Sequence, residues 1–356
     1  MTLEFTGWAQ EFNVNVWLRL GLGSADRAGK GVALMPAIYA SVDLGGTNIK
    51  CAYGDESGRI ICSDSTPTQS HEGPRAVLER IASLVKALRQ KANAPPAALG
   101  MGCPGLVDVK NGITKFFPNL PTQWRDVPVR EILSPQLGCP VYLLNDVRTA
   151  TLGELVFGHG RTAGTMAFFA LGTGIGGGVA IDRKLHLGPL GAAGELGHQI
   201  ILPDGPRCGC GNRGCLETLA SGPAITAEGI RLMQTGLAPK LYELCEGDVS
   251  RVTTKEMAEA ARAGDEAVRE AIVRAAEYLG IGIVNVVVTL HPDLIVLGGG
   301  VALIGELLFD TVRRTIRERV HMFPTDGIEV KPSQLGENAG TLGGIALAMQ
   351  GGHLGI

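Results

Sequence analysis

Between Gly197 and Glu217 the chain reads GHQIILPDGPRCGCGNRGCLE, which sets Cys208, Cys210 and Cys215 at C-x-C-x4-C spacing with His198 ten residues ahead. Two sulfurs two residues apart can share one ion. The glycines around them allow the backbone to fold back so that Cys215 and His198 close a tetrahedron, and Cys3His is a filled structural zinc set with no open position for water. Glu195 and Glu217 flank the knot and do not suit such a shell, so a fixed loop with free carboxylates suggests a grip on a polar ligand. Ordinary buried thiols or a disulfide are the competing readings. The other cysteines, Cys51, Cys62, Cys103, Cys139 and Cys245, stand singly in apolar or strand-like contexts, as in a reduced, cytoplasmic protein.

Two glycine loops could approach phosphate. Asp43-Leu-Gly45-Gly46-Thr47 lies between two strand-like runs, which excludes the dinucleotide fingerprint, where a helix opens directly behind the glycines. Backbone N–H groups and the Thr47 hydroxyl could reach phosphate oxygens, and Asp43 could hold a hydrated magnesium ion. Gly172 to Gly178 could close on the phosphates from the other side. Neither loop has the P-loop spacing with its lysine, and a lone glycine hairpin is more often a tight turn. Asn145-Asp146 follows a short apolar strand, and an aspartate there could take the proton of an attacking hydroxyl in phosphoryl transfer. It could equally cap the helix that follows; spacing alone leaves both open.

The elements that position these groups follow from periodicity. Strands are expected at Ala37–Val42, Ile49–Tyr53, Arg59–Cys62, Ala98–Cys103, Val141–Leu144, Thr165–Leu171, Val179–Ile181 and Asp293–Leu297. Helices are expected at Pro74–Lys91, from Asp146 through Phe157, over most of Gly222–Leu290, through Val320, and at Gly340–Gln350. Asn111–Trp124, with Pro118 and Pro121, reads as looser. The two strand–glycine loop–strand blocks hint at an internal duplication. With 356 residues and 45% hydrophobic content, the chain can bury two cores. A formal charge of −3 gives no reason to expect nucleic acid, no apolar run suggests a membrane span, and residues 1–36 read as an extension without a secretory pattern.

In order, DLGGTNIK (43–50), CPGLVD (103–108), LNDVRTATLGE (144–154), LGTGIGGG (171–178), GELGHQI (194–200), CGCGNRGCLE (208–217) and VLGGG (296–300) resemble a ROK-family sugar kinase over about Ile38 to Gln350. The resemblance implies an α/β, actin-like ATPase (ribonuclease H-like) fold of duplicated domains with a cleft between them. It implies a small domain of 37–146 plus 340–356 and a large one of 147–339 bearing the zinc loop. Asp146 would be the base acting on the 6-hydroxyl of a hexose, and Pro104, Gly105, Asn119, Asn145, Glu195, His198 and Glu217 would line the sugar site. Asp43, Gly45, Gly46, Thr47, Lys50, Thr173, Gly174, Gly299 and Gly300 would serve the nucleotide, and His198, Cys208, Cys210 and Cys215 the zinc. ATP, Mg2+ and structural Zn2+ are the implied cofactors, a sugar and a nucleotide the partners, and a homodimer or dimer of dimers the assembly. FPNLP-x-x-W, with Asn119, leans toward glucose over N-acetylmannosamine, mannose, fructose or allose. Some members are transcriptional repressors; the 42 residues before Asp43 are too few for a three-helix DNA reader with a wing. The run after the base departs from the usual Ala-Asn-Ala-Ala: it is Val147-Arg148-Thr149-Ala150, and Arg148 could lower the proton affinity of the aspartate or face solvent on the helix, the latter being the expectation.

Overall fold

A computed structural model describes residues 37–117 and 120–354; the expected sugar contact Asn119, and the extension 1–36, lie outside the described residues. β1 (Ile38–Leu44), β2 (Asn48–Asp55) and β3 (Ile60–Pro67) form an antiparallel meander. α1 (Gly73–Ala92) follows, with Pro74 in its first turn and Asn93 in the left-handed region at its end. Its buried stripe of Val77, Leu78, Ile81, Val85 and Leu88 covers the sheet, as three-and-four spacing requires. β4 (Leu99–Cys103) then lies parallel to β1. After the hairpin β5 (Leu106–Asp108) and β6 (Ile113–Phe116) and the helix α2 (Val129–Leu137), β7 (Val141–Asn145) lies parallel to β4. The sheet order is β3-β2-β1-β4-β7.

α3 (Asp146–Phe157) leads to the second half. β8 (Met166–Leu171), β9 (Ile175–Ile181) and β10 (Lys184–His186) repeat the meander. α4 (Glu217–Ala220), α5 (Gly222–Gln234), α6 (Pro239–Leu244), α7 (Thr254–Arg262) and α8 (Glu266–Leu290) come next. β11 (Leu294–Gly298), α9 (Glu306–Arg319), β12 (Glu329–Pro332) and α10 (Ala339–Met349) complete the chain. The second sheet, β10-β9-β8-β11-β12, has the same order and the same parallel and antiparallel pairings as the first. The duplication hinted at by two glycine loops is therefore a duplication of topology.

Three apolar cores result. One lies between the first sheet and α1 and α2, and a second between the second sheet and α5–α9. The third joins Leu144, Leu152 and Leu155 to Met166, Phe168 and Val296, and to Ala346 and Leu347 of α10. α3 and α10 are thus shared between the two sheets, and the residues that open α3 are set by both.

Several expectations are corrected. Residues 111–124 are not a loose stretch throughout, because β6 begins at Ile113 and pairs with β5. β9 starts at Ile175, ahead of the expected Val179, so the second glycine loop is only Gly172 to Gly174. Gly176, Gly177 and Gly178 are strand residues: an added Cβ would come within 2.6 Å of Val147, 2.5 Å of Leu196 and 2.1 Å of Thr151. They are small because α3 and the 194–196 segment lie against the strand, not because phosphate approaches them. α8 is long and apolar enough by length and composition to cross a membrane, contrary to the expectation from hydropathy. Its buried Val268, Ile272, Leu279 and Ile283 form part of the second core.

Candidate sugar and nucleotide cleft

Parallel strands end together, and side chains at their carboxyl ends share one rim. In the first sheet Asp43 pairs with Gly102 and Cys103 with Asn145, which brings Asp43 and Asp146 to neighbouring strand ends. In the second, Leu171 and Gly298 end β8 and β11. A cleft of about 530 Å³ lies along these ends, lined by Pro104, Gly105, Asn145, Asp146, Thr173, Gly174, Glu195, His198, Glu217 and Gly299. The structure therefore brings together residues from all the expected sugar positions it describes and from the second glycine loop. The first loop is different. Asp43, Gly45, Gly46, Thr47 and Lys50 do not line this cleft, and Lys50 is exposed. Their turn is tied by the Gly45 N–H to the Asn48 carbonyl (3.0 Å) and by the Thr68 hydroxyl to the Gly45 carbonyl (2.7 Å). Gly300 belongs to an adjoining hollow of about 430 Å³ with Gly172, Thr173, Gly222, Pro223, Thr226 and Thr253. Sequence reasoning missed that wall, although Ser221-Gly222-Pro223 has the form of a helix start.

The start of α3 is capped by the neighbour of Asp146. Asn145 is the N-cap of α3, its Oδ1 accepting from the N–H groups of Val147 (3.0 Å) and Arg148 (3.2 Å). Asp146 Oδ1 accepts from Val147 N–H at 2.8 Å, and its other oxygen is not needed by the helix. Burial pushes the Asp146 carboxyl up to about 6, the Val147 N–H opposes the rise, the Asp43 charge adds to it and Arg148 opposes it. Asp43 is also raised by burial, with Lys50 acting against it. Two half-buried carboxylates that repel each other form an electrostatic setting that a cation relieves.

Opposite them, Glu217 opens α4. Its Oε2 accepts from the Ile175 N–H (2.9 Å), and its Oε1 lies 3.6 Å from Cys208 Sγ. One carboxylate thus links the second glycine loop to the cysteine knot. Gly174 allows this: an added Cβ would sit 2.3 Å from Glu217 Oε2. The ligand atoms of His198, Cys208, Cys210 and Cys215 all lie within 4.8 Å of one another. Cys210 and Cys215 sulfurs are 3.7 Å apart, and Cys208 Sγ is 3.6 Å from His198 Nδ1. A tetrahedron with Zn–S of about 2.3 Å and Zn–N of about 2.0–2.1 Å requires edges of about 3.8 and about 3.6 Å. The donor set fits zinc.

Arg148 does not face solvent. Its side chain is 2% exposed, turned inward under the cleft, where it donates to the carbonyls of Ala192 and Ala193, to Asn145 Oδ1 and to Glu195 Oε1. Placing a charge on the outer face of a helix is a sound default, but position 148 is in the first turn of a helix wedged between two sheets and has no outer face.

The ROK family model matches residues 39–351. A glucokinase of Thermotoga maritima is 35% identical over 86% of this chain and 95% of its own length. A xylose repressor of Caldicellulosiruptor bescii is 30% identical over 86% of this chain and 77% of its own. The crystal structure of a ROK-family glucokinase from Streptomyces griseus in complex with glucose and AMPPNP is 33% identical, covers 88% of this chain and 100% of that one, and superposes with a TM-score of 0.76. With two sheets of one topology, a cleft at their strand ends and this similarity along its length, the chain belongs to the ROK family and has the actin-like ATPase fold.

Proposed function

We propose that the protein is an ATP-dependent sugar kinase that phosphorylates the 6-hydroxyl of glucose. The observation that carries this reading is the division of labour at the start of α3: Asn145 caps the helix, so Asp146 is left as a half-buried carboxylate at the rim of a cleft that also holds a glycine loop and the polar groups Glu195, His198 and Glu217. A hexose hydroxyl both donates and accepts, so Glu195 and Glu217 as acceptors and the Asn145 amide as donor can read a ring of them. Asp146 takes the proton of the attacking hydroxyl as the hydroxyl oxygen bonds to the γ-phosphorus of ATP and the bond from that phosphorus to the bridging oxygen breaks, releasing ADP. Backbone N–H groups of Thr173 and Gly174, with the Gly45–Thr47 turn, hold the phosphates, and Gly299 and Gly300 lie beside the nucleoside. Asp43 would hold the magnesium ion, which neutralises phosphate charge when bound; the mutual repulsion of Asp43 and Asp146 fits that role.

Zinc would be held by His198 Nδ1 and the three cysteine sulfurs, which fixes the ring so that Nε2 is free for a sugar oxygen. The division into a domain of 37–146 with 340–356 and one of 147–339 is part of the proposal, supported by the packing of α10 against β1 and β4. The glucokinase relatives support glucose over N-acetylmannosamine, mannose, fructose or allose. The repressor relative supports a second reading, sugar sensing without catalysis. A coupled ADP-release assay over a panel of hexoses and N-acetylhexosamines, on wild type and Asp146→Asn, separates them. Turnover on glucose that the variant loses is expected; sugar binding without turnover in wild type would establish the sensor instead, and equal turnover in both proteins would refute Asp146 as the base.

A further inference from the structure

Among the described residues, Arg148 is the one Lys or Arg that lines the cleft, and it is not placed to meet phosphate. Its guanidinium is committed below the cleft floor: Nε to Ala193 O (3.0 Å), Nη2 to Ala192 O (3.0 Å) and to Glu195 Oε1 (2.8 Å), and Nη1 to Asn145 Oδ1 (2.9 Å). Both side chains that it holds are polar groups of the cleft. Asn145 Oδ1 receives three donors, from Val147 N–H, Arg148 N–H and Nη1, so the amide oxygen is fully engaged and the NH2 group faces the other way. That NH2 donates to Gly105 O at 3.2 Å and keeps one N–H for a ligand. Glu195 is 49% exposed, with Oε1 on the guanidinium and no partner for Oε2 among the described residues. A lysine has three donors at one point and cannot span these four acceptors.

Resting on the sugar-kinase reading, we propose that Arg148 is a positioning residue of the sugar site, a buried fork that presents Asn145 to the sugar as a hydrogen-bond donor and Glu195 as an acceptor. The pair of Arg148 with Glu195 could instead be a structural ion pair that only fastens the 188–195 loop. The two roles differ in what they predict. A fastening predicts loss of fold or of every ligand together. A positioning role predicts loss of sugar affinity with nucleotide affinity kept, and coupling to Glu195.

The test is a double-mutant cycle of R148K, E195Q and R148K/E195Q, with glucose KM and kcat measured by ADP release and AMPPNP affinity by calorimetry on the same samples. R148K is expected to raise glucose KM about 10- to 100-fold with kcat within about threefold and AMPPNP affinity unchanged. In the E195Q background it should add less than it does in wild type, because the part of its effect that runs through Glu195 is already lost and only the part through Asn145 remains. R148Q supplies a further readout. Asp146 is faced by Asp43 from β1, Cys103 from β4 and Arg148 from α3, so the acid limb of kcat/KM should move up in R148Q and stay in place in R148K, which keeps the charge. Additive KM effects, an unchanged KM in R148K, or loss of AMPPNP affinity alongside glucose in both variants would overturn the assignment while leaving wild-type turnover intact. A wild type that neither binds nor phosphorylates any hexose would overturn the sugar-kinase reading itself.

Discussion

Converting Asp146 to Asn should make the protein more stable at neutral pH while disabling it. The carboxyl is raised from 3.8 to about 6, chiefly by burial. That corresponds to about 3 kcal/mol of differential cost for carrying the charge in its folded site. The sign follows from proton binding. Between pH 3.8 and 6 the folded state holds the Asp146 proton more tightly than the unfolded state, so stability contributed by the protonated form is present below pH 3.8 and is lost as pH rises through 6. Above pH 6 wild type carries the full penalty. At about pH 5 it carries roughly half of it, and below about pH 4 little. The amide that replaces the carboxylate keeps an oxygen for the Val147 N–H and has no charge to desolvate.

Thermal unfolding of the two proteins from about pH 4.5 to about pH 8 should show D146N gaining on wild type as pH rises, to a plateau on the order of 5 °C. On the proposed reading the same group should set the acid limb of kcat/KM. Only the carboxylate form accepts the hydroxyl proton, so activity should fall about tenfold for each pH unit below about 6. D146N itself should lose about 10²- to 10⁴-fold in kcat with sugar KM little changed. A stability difference that does not vary with pH, together with an acid limb near the usual carboxylate range, would show that Asp146 is an ordinary solvated carboxylate and that the burial argument is wrong.

Three other outcomes follow from single contacts. C215S, at a fully buried sulfur, should reduce bound zinc from one per chain to about none by metal analysis and raise glucose KM, because His198 and Glu217 lie at either end of the same segment; metal-free C215S with wild-type glucose affinity would separate the knot from the site. G174A should displace the Glu217 carboxylate from a Cβ otherwise 2.3 Å away, costing about 1–3 kcal/mol of stability and raising the KM of both substrates, whereas G327A, with no atom within 4 Å of its Cβ, should match wild type. E154A removes a buried carboxylate that accepts from Leu335 N–H (3.0 Å) and the Ser333 hydroxyl; the orphaned donors should lower stability by about 2–4 kcal/mol in chemical denaturation with kcat of the folded fraction unchanged.

The cysteine knot, both glycine turns and the strand ending at Asn145 were legible because each is a local pattern, and local patterns survive in one dimension. The hairpin of β5 and β6 was not, because Pro118 and Pro121 dominate the stretch and the partner strand is only three residues long. Gly176–Gly178 were misjudged for a different reason. Glycine next to a phosphate and glycine under a packed helix look the same in sequence, and only the positions of Val147, Thr151 and Leu196 distinguish them. Arg148 is the clearest case. Its role depends on Ala192, Ala193 and Glu195, which lie 44 to 47 residues away, and no periodicity within α3 could reveal that.

The charge pattern of the cleft explains how one acidic floor can serve a polyanion. Asp146, Glu195 and Glu217 line it, Asp43 stands at the next strand end, and the one guanidinium among the described residues of its lining is already committed to acceptors. Nothing in that set attracts a triphosphate. Backbone N–H groups at Thr173, Gly174 and the Gly45–Thr47 turn carry partial charges only, too little to offset several phosphate charges beside unpaired carboxylates. A divalent cation at Asp43 would lower the repulsion on both sides, drawing phosphate toward Asp146 and easing the burial of the Asp146 charge. The side proposed for the sugar would have no such need, since Arg148 pairs with Glu195. On the proposed reading the cleft would divide into a half whose electrostatics are completed by the chain itself and a half whose electrostatics would be completed only by a nucleotide with its metal.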